Sequence, residues 1–318
     1  MSAKYLTVAI PTFNRIEKAK NVLDILHKQV CECVEIVVFD NNSVGGEILM
    51  QYCSEKSIKY VKRVTNIGPT GNIVRIFEEA NSKWIAVVSD DDTPSDKCIE
   101  DMLCELRLLS TKIFAVKFKS ELDLQQQVLT IQDINSFTKY ISNPHAFGST
   151  LLLSSWVFDV EVLKKYVRAM YLYSGLQCAH IVGVMKGLYG NDGFVKYSER
   201  ECVKWNPPSK GDSWSSGLTY SLMLSTAPVV DFLNHTQKRQ FINGAVGQRT
   251  RSIFGNLLRY KLYNHGCAFH QVSLTVASVS LKHFFIVAAF KVVFSVLPMR
   301  IVKRYYDAVD DIKGLSRM

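Results

Sequence analysis

An α/β fold, built on a mostly parallel sheet with helices on both faces, is what the first 118 residues predict. Three observations carry this. Short apolar runs alternate with amphipathic stretches of about ten to fifteen residues, the pattern of strand–helix units in a parallel sheet. Each of the first four apolar runs leads to a cluster of Asn, Asp, Gly, Pro or Thr. The 318 residues are 47% hydrophobic and 21% charged, a composition that packs a core and argues against disorder.

The elements follow in order. Residues 6–10 (Leu-Thr-Val-Ala-Ile) read as a strand stopped by Pro11, with Thr12 and Asn14 in the loop beyond. Residues 15–28 read as a helix with Ile16, Val22, Leu23, Ile25 and Leu26 on its inner side. A second strand, 34–39, ends in Asp40-Asn41-Asn42-Ser43, and a second helix covers 47–56. A third strand, 58–64, leads into Thr65-Asn66-Ile67-Gly68-Pro69-Thr70-Gly71-Asn72 and a helix over 73–81. The fourth strand starts at Trp84 and ends in Ser89-Asp90-Asp91-Asp92. A helix over 96–109 and a strand over 113–118 complete the series.

The acidic step after the fourth strand is the most pointed signal. Three adjacent carboxylates repel one another and resist burial without a cation. A divalent metal there would in turn hold the phosphates of a nucleotide. The plain alternative is a solvated acidic turn before a helix, because Asp92-Thr93-Pro94-Ser95 is also helix-start chemistry. Ligands of parallel sheets sit beyond the carboxyl ends of the strands, and all four polar clusters fall there. Asn, Asp, Gly and Pro are ordinary turn residues, so it is the agreement of four strand ends that favours a nucleotide site. No GxGxxG follows the first strand and no GxxxxGK[ST] occurs, which sets aside a dinucleotide fold and a P-loop.

The chain resembles glycosyltransferase family 2 of the GT-A fold. Pro11-Thr12-Phe13-Asn14-Arg15, Asp40-Asn41-Asn42-Ser43, Asn66-Ile67-Gly68-Pro69 with Asn72, and Ser89-Asp90-Asp91-Asp92 carry the resemblance over about the first 110 residues. Within the family it is most similar to the O-antigen abequosyltransferase type, through Leu153-Ser154-Ser155 read as a strand, Cys178-Ala179-His180, and Arg200 with Gly211-Asp212-Ser213-Trp214. The resemblance implies an inverting transferase that moves a sugar from a nucleotide-sugar donor to a hydroxyl of a lipid-linked oligosaccharide. The setting implied is O-antigen or capsule synthesis at the cytoplasmic face of the inner membrane. It implies a nucleotide-sugar site of Pro11, Thr12, Asn14, Asp40, Asn66, Gly68, Asn72, Asp90, Arg200 and Trp214, with Mg²⁺ or Mn²⁺ on Asp91 and Asp92; Asp92 is alternatively part of a helix cap.

Members of the family supply a base from a Glu-Asp pair that this chain lacks; Gln177-Cys178-Ala179-His180 stands at the comparable place. A histidine titrates near neutral pH, so His180 is the candidate base, against a purely structural helix histidine. Asp159 is expected to cap a helix over 160–170, and Asp192 to sit in a turn; both are weaker candidates. The stretch 200–217 reads as a lid. In it Trp205 and Trp214 would stack on a sugar, and Arg200, Lys204 and Lys210 would meet a diphosphate.

The expected domains are 1–220, with a nucleotide-sugar half at 1–118 and an acceptor half at 119–220, and a helical basic region at 221–318. Net charge is +9, and all of the excess lies late: residues 231–318 hold thirteen Lys and Arg against four Asp, while the rest of the chain is balanced at twenty-five of each sign. Residues 281–306 are the most apolar part, with Lys291 inside and Arg300, Lys303 and Arg304 after. Such a segment suits a helix lying in a membrane interface; a buried core helix is the competing reading and a spanning helix the lesser one. No nucleic-acid motif is present. Eight cysteines without a CxxC pair argue against zinc, and residues 1–5 show no hydrophobic leader.

Overall fold

The structure is a computed structural model and describes residues 4–110, 112–121, 123, 129–206, 223–224, 226–247, 257, 273–277 and 281–296. Among them, eight strands form one sheet in the order β3-β2-β1-β4-β8-β6-β9-β7. These are β1 (Leu6–Thr12), β2 (Val34–Asp40), β3 (Lys59–Lys62), β4 (Trp84–Val87), β6 (Ile113–Lys119), β7 (Leu129–Ile131), β8 (Trp156–Asp159) and β9 (Phe194–Glu201). The pairings β1–β2, β2–β3, β1–β4 and β6–β9 are parallel. β8 runs antiparallel between β4 and β6, and β7 is antiparallel to β9. Two short strands, β5 (Thr93–Pro94) and β10 (Val203–Lys204), pair separately.

The helices α1 (Ile16–His27), α2 (Gly46–Glu55), α3 (Pro69–Glu79) and α4 (Cys98–Arg107) connect the first strands. Two apolar clusters lie against the sheet. One holds Val22, Leu23, Leu26 and Met102 with Val8, Ile36 and Val116. The other holds Val74 and Phe77 with Ala9, Val37 and Phe158. Alternate residues of β1 thus enter different clusters, as a strand buried on both faces requires.

Three local expectations are corrected. Pro11 does not stop the first strand: β1 runs to Thr12, opposite Asp40. β4 pairs with β1 only as far as Ala9, so the missing N–H of Pro11 falls beyond that ladder. The third helix starts earlier than residue 73, with Pro69 in its first turn, a position that needs no N–H. Leu153–Ser155 is a 3-10 turn rather than a strand, and the strand is the next segment, β8.

Later helices are α5 (Ile134–Ile141), α6 (Pro144–Leu151), α7 (Val160–Lys165), α8 (Val167–Leu172), α9 (Ala179–Tyr189), α10 (His235–Val246) and α11 (Leu281–Val296). Asp159 caps α7 as expected, accepting from the N–H groups of Glu161 and Val162. α10 packs on α5 and α6, and Phe241 meets Phe147 edge to face at 5.1 Å. In α11, Val287 and Phe290 enter the same core as α9, while Phe284, Phe285 and Val292 are exposed. No helix among the described residues is long and apolar enough to cross a membrane. Residues 297–306, expected to continue that helix, lie outside the described residues.

Gly193 enters β9 with φ +148, and a Cβ there would lie 2.2 Å from the Lys112 carbonyl oxygen. Gly193→Ala is therefore expected to cost about 1–3 kcal/mol, read as a lower midpoint in equilibrium urea unfolding.

Candidate functional site

The parallel register brings the ends of β1 and β2 level, and the chain leaving β4 stays beside them: the Val88 N–H donates to the Ala9 carbonyl at 2.9 Å. Sequence alone puts the three carboxylates together; the structure separates them. Asp90, 4% exposed, accepts from Thr12 Oγ1 at 2.7 Å and from Arg15 Nη1 at 3.1 Å. Asp91 accepts from the same Arg15 nitrogen at 2.7 Å and from Ser89 Oγ at 2.5 Å. Asp92 turns inward, accepting from Ser154 Oγ at 2.5 Å and the Asn206 N–H at 3.3 Å. Burial raises Asp90 and Asp92 to about 6 each, against the hydrogen bonds that favour their charged forms. The Asp91 side chain is the accessible one, at 27% against 5% for Asp90.

The neighbouring strand ends form one hydrogen-bonded rim. Asn14, at φ 56, donates its N–H to Ser43 Oγ and accepts from Val44 N–H. Asn41 Nδ2 donates to Asn66 Oδ1 and to the Gly68 carbonyl, and its Oδ1 accepts from Ile67 N–H. Pro11, Thr12, Asn14, Asp40, Asn66, Gly68, Asn72 and Asp90 are thus on neighbouring loops and strand ends at this rim. Two of them are buried and held by neighbouring groups. Asp40 is fully buried; it accepts from Ser43 N–H and Oγ and from Tyr60 OH. Asn72, 2% exposed, donates to the Phe39 carbonyl and accepts from Arg63 Nε.

His180, the candidate base, lies among core side chains. Its ring is 3% exposed, lies 3.3 Å from the Thr150 carbonyl through Nε2, and packs near the rings of Trp156 and Phe158. A base must reach the hydroxyl it deprotonates, and this imidazole is in the core. Burial lowers it to about 4, opposed by the Thr150 bond and aided by nearby Lys117. Its NMR chemical shifts should therefore stay constant from pH 9 to about pH 5. Because its folded pKa lies below the ordinary 6.5, the unfolded chain binds the proton first. Its contribution to stability is present above 6.5, falls as pH drops toward 4, and levels off below.

The other candidate bases are engaged elsewhere: Asp159 pairs with Lys83, and Asp192 with Lys165 and Tyr166. Arg200, expected beside the diphosphate, is held instead by Asp101 at 2.7 Å and Glu105 at 3.6 Å on α4. Lys204 faces Glu121 at 3.4 Å. Trp214 and Lys210 lie outside the described residues. Sequence reasoning missed Ser154 and Asn206 as partners of the acidic step. Asn206 also donates through Nδ2 to the Asp91 carbonyl and Thr93 Oγ1. Arg15 was visible only as the last residue of a motif.

The chemistry of the donors decides how a metal fits. Mg²⁺ and related hard cations accept one or two carboxylates, with substrate phosphates and water completing the shell. Asp91 suits that role. Asp92 is 6% exposed with both oxygens hydrogen-bonded, so it does not offer the second contact that was expected. No group of three His, Cys, Asp or Glu among the described residues is arranged to hold a metal.

Residues 7–143 match the family model of Glycosyl transferase family 2. The crystal structure of S. aureus TarS residues 1–349 superposes with a TM-score of 0.53 at 15% identity, over 90% of this chain and 87% of that one. The same fragment in complex with UDP-GlcNAc gives 0.53 at 14%, over 86% and 80%. The longer S. aureus TarS structure gives 0.52 at 15%, over 91% of this chain and 53% of that one. No curated protein matches in sequence. The likeness is one of fold, and the fold is GT-A.

Proposed function

We propose that the chain is a nucleotide-sugar-dependent glycosyltransferase that inverts the anomeric centre. The observation that carries this is the accessible Asp91 carboxylate beside Arg15, at the strand-end rim built by Asn14, Asn41, Asn66 and Gly68. The family match over residues 7–143 and the GT-A architecture support the same reading. In this reading the rim receives the nucleotide, and Asp91 would hold Mg²⁺ or Mn²⁺. That cation, when bound, supplies positive charge to the departing diphosphate. Ser89 and Arg15 orient the Asp91 carboxylate, Thr12 holds Asp90, and Ser154 with Asn206 fixes the turn that presents all three.

The acceptor would be a hydroxyl of a lipid-linked glycan, in the manner of O-antigen or capsule assembly, with residues 1–220 as transferase and 221–318 as membrane-associating region. The exposed Phe284, Phe285 and Val292 of α11 beside Lys291 support contact between residues 281–306 and an anionic cytoplasmic leaflet. Burial of His180 favours a second reading, a non-catalytic adaptor that keeps a nucleotide-sugar pocket. Thermal-shift screening with a nucleotide-sugar panel, with and without Mn²⁺, tests the donor site. Stabilisation by one nucleotide sugar, enhanced by Mn²⁺, is expected; a flat response across the panel contradicts both readings.

A further inference from the structure

The connection from α1 to β2 carries two thiols that the proposed transfer does not use. Cys31 and Cys33 are separated by Glu32, and both are free. A β-turn brings them together. The Val34 N–H donates to the Cys31 carbonyl at 2.9 Å, which closes residues 31–34 with Cys31 first and Cys33 third. In an extended strand alternate residues stand about 7 Å apart; here the two Sγ atoms are 3.4 Å apart. The turn is anchored to the sheet. The Cys33 carbonyl accepts from the N–H groups of Tyr5 at 2.9 Å and Leu6 at 3.2 Å, where β1 begins. Lys4 Nζ donates to the Glu32 carbonyl at 2.5 Å.

Access separates this pair from the other described cysteines. Cys31 is exposed and Cys33 half-buried, whereas Cys53, Cys98, Cys178 and Cys202 are buried. Cys104 is half-buried, on α4. Thiol exchange needs an accessible sulfur to begin it and a second sulfur within reach to finish it. Burial pushes the Cys33 thiol up, and its contact with Cys31 acts in the same direction, with Arg107 opposing. The exposed Cys31 is therefore the sulfur that meets a reagent first, and Cys33 the one that resolves. No third His, Cys, Asp or Glu among the described residues joins them as a metal site. A disulfide needs the sulfurs at about 2.05 Å, an approach of about 1.4 Å from the observed contact.

We propose that Cys31 and Cys33 are a reversible redox pair, oxidised to an intramolecular disulfide by a low-molecular-weight disulfide of the glutathione class. The Cys31 thiol gives its proton to solvent and attacks one sulfur of the reagent RSSR. A bond forms between Cys31 Sγ and that sulfur, the RS–SR bond breaks, and RS⁻ leaves and takes up a proton. Cys33 then loses its proton and attacks Cys31 Sγ, the bond to the second SR group breaks, and that group leaves as RSH. Two cysteine thiols are oxidised and one RSSR is reduced to two RSH. The pair stands at the start of β2 and the strand-end rim at its finish, about 20 Å away along seven residues. The inference does not rest on the transferase reading.

The test incubates the full chain with rising ratios of oxidised to reduced glutathione, quenches with acid, alkylates the remaining thiols and maps the peptides by mass spectrometry. In the wild type, the peptide carrying residues 31–33 is expected to become lighter by two hydrogens, with Cys31 and Cys33 both unalkylated, and to return to the dithiol on reduction. Cys33→Ser removes the resolving sulfur but keeps the backbone bonds of the turn. It is expected to accumulate the glutathione mixed disulfide on Cys31 at about tenfold or more the wild-type level. Three results overturn the proposal: both thiols still alkylated in the wild type, a mixed disulfide as abundant in the wild type as in Cys33→Ser, or a disulfide joining Cys31 to Cys104 or to a second chain. The wild-type map decides the matter alone if Cys33→Ser fails to fold.

Discussion

Replacing Asp91 by Asn is expected to lower sugar transfer by about a hundredfold or more while leaving the fold intact. The side chain keeps its shape and can keep its Ser89 hydrogen bond, but it loses its charge and with it the ion pair to Arg15. Asp90 and Asp92 cannot take over, because each is buried and already satisfied by Thr12 and Arg15 or by Ser154 and Asn206. A cation that stabilises a leaving diphosphate is worth several kcal/mol of barrier, and about 1.4 kcal/mol is a factor of ten. Steady-state transfer rates, with unchanged thermal unfolding as the control for folding, decide it. A rate within about threefold of wild type would remove Asp91 from the proposed mechanism.

Asp123→Ala should be the most destabilising single change. Lys117, on β6 in the middle of the sheet, is 0% exposed; its Nζ donates to the Phe118 carbonyl at 2.6 Å and to Asp123 Oδ2 at 3.2 Å. The same carboxylate oxygen accepts from Ser120 N–H and Oγ. Removing one member of a buried ion pair typically costs about 3–5 kcal/mol, because the other charge stays behind, dry and unpaired. Replacing both, as Lys117→Met with Asp123→Ala, should recover part of that loss. Burial brings Lys117 down to about 8 from 10.5 even with Asp123 opposing the shift. Between those values the unfolded chain holds the proton more fully than the native one. The contribution of this lysine to stability therefore rises from pH 8 to 10.5 and stays at its lower level beneath pH 8. Equilibrium urea unfolding of the wild type and the two variants measures the loss; a cost under about 1 kcal/mol for Asp123→Ala would show the pair to be dispensable.

The first half of the fold was legible because each of its strands is a local apolar run ending in turn residues. β1, β2 and β4 needed only their own composition, and even Pro11 misled by two residues alone. β8 was not legible as the strand joining β4 to β6. Its placement comes from long-range antiparallel pairing, for instance Ile85 opposite Phe158, and no neighbouring residue announces it. The motif residues of the first four strands lie at neighbouring strand ends, but which of them face solvent depends on partners distant in sequence. Asp40 is claimed by Tyr60, and Asp92 by Ser154. His180 carried a signal that was there to read. Ala179, Ile181, Val182 and Val184 surround it, and a helix apolar on all sides is a buried helix.

The most direct measurement of the central claim is the product formed from a nucleotide-sugar panel by the wild-type chain with Mn²⁺ and a glycan acceptor. Release of nucleoside diphosphate from at least one donor is expected, with proton NMR of the product showing inverted configuration at the anomeric carbon. Retention of configuration, or a panel in which no donor releases diphosphate, would contradict it.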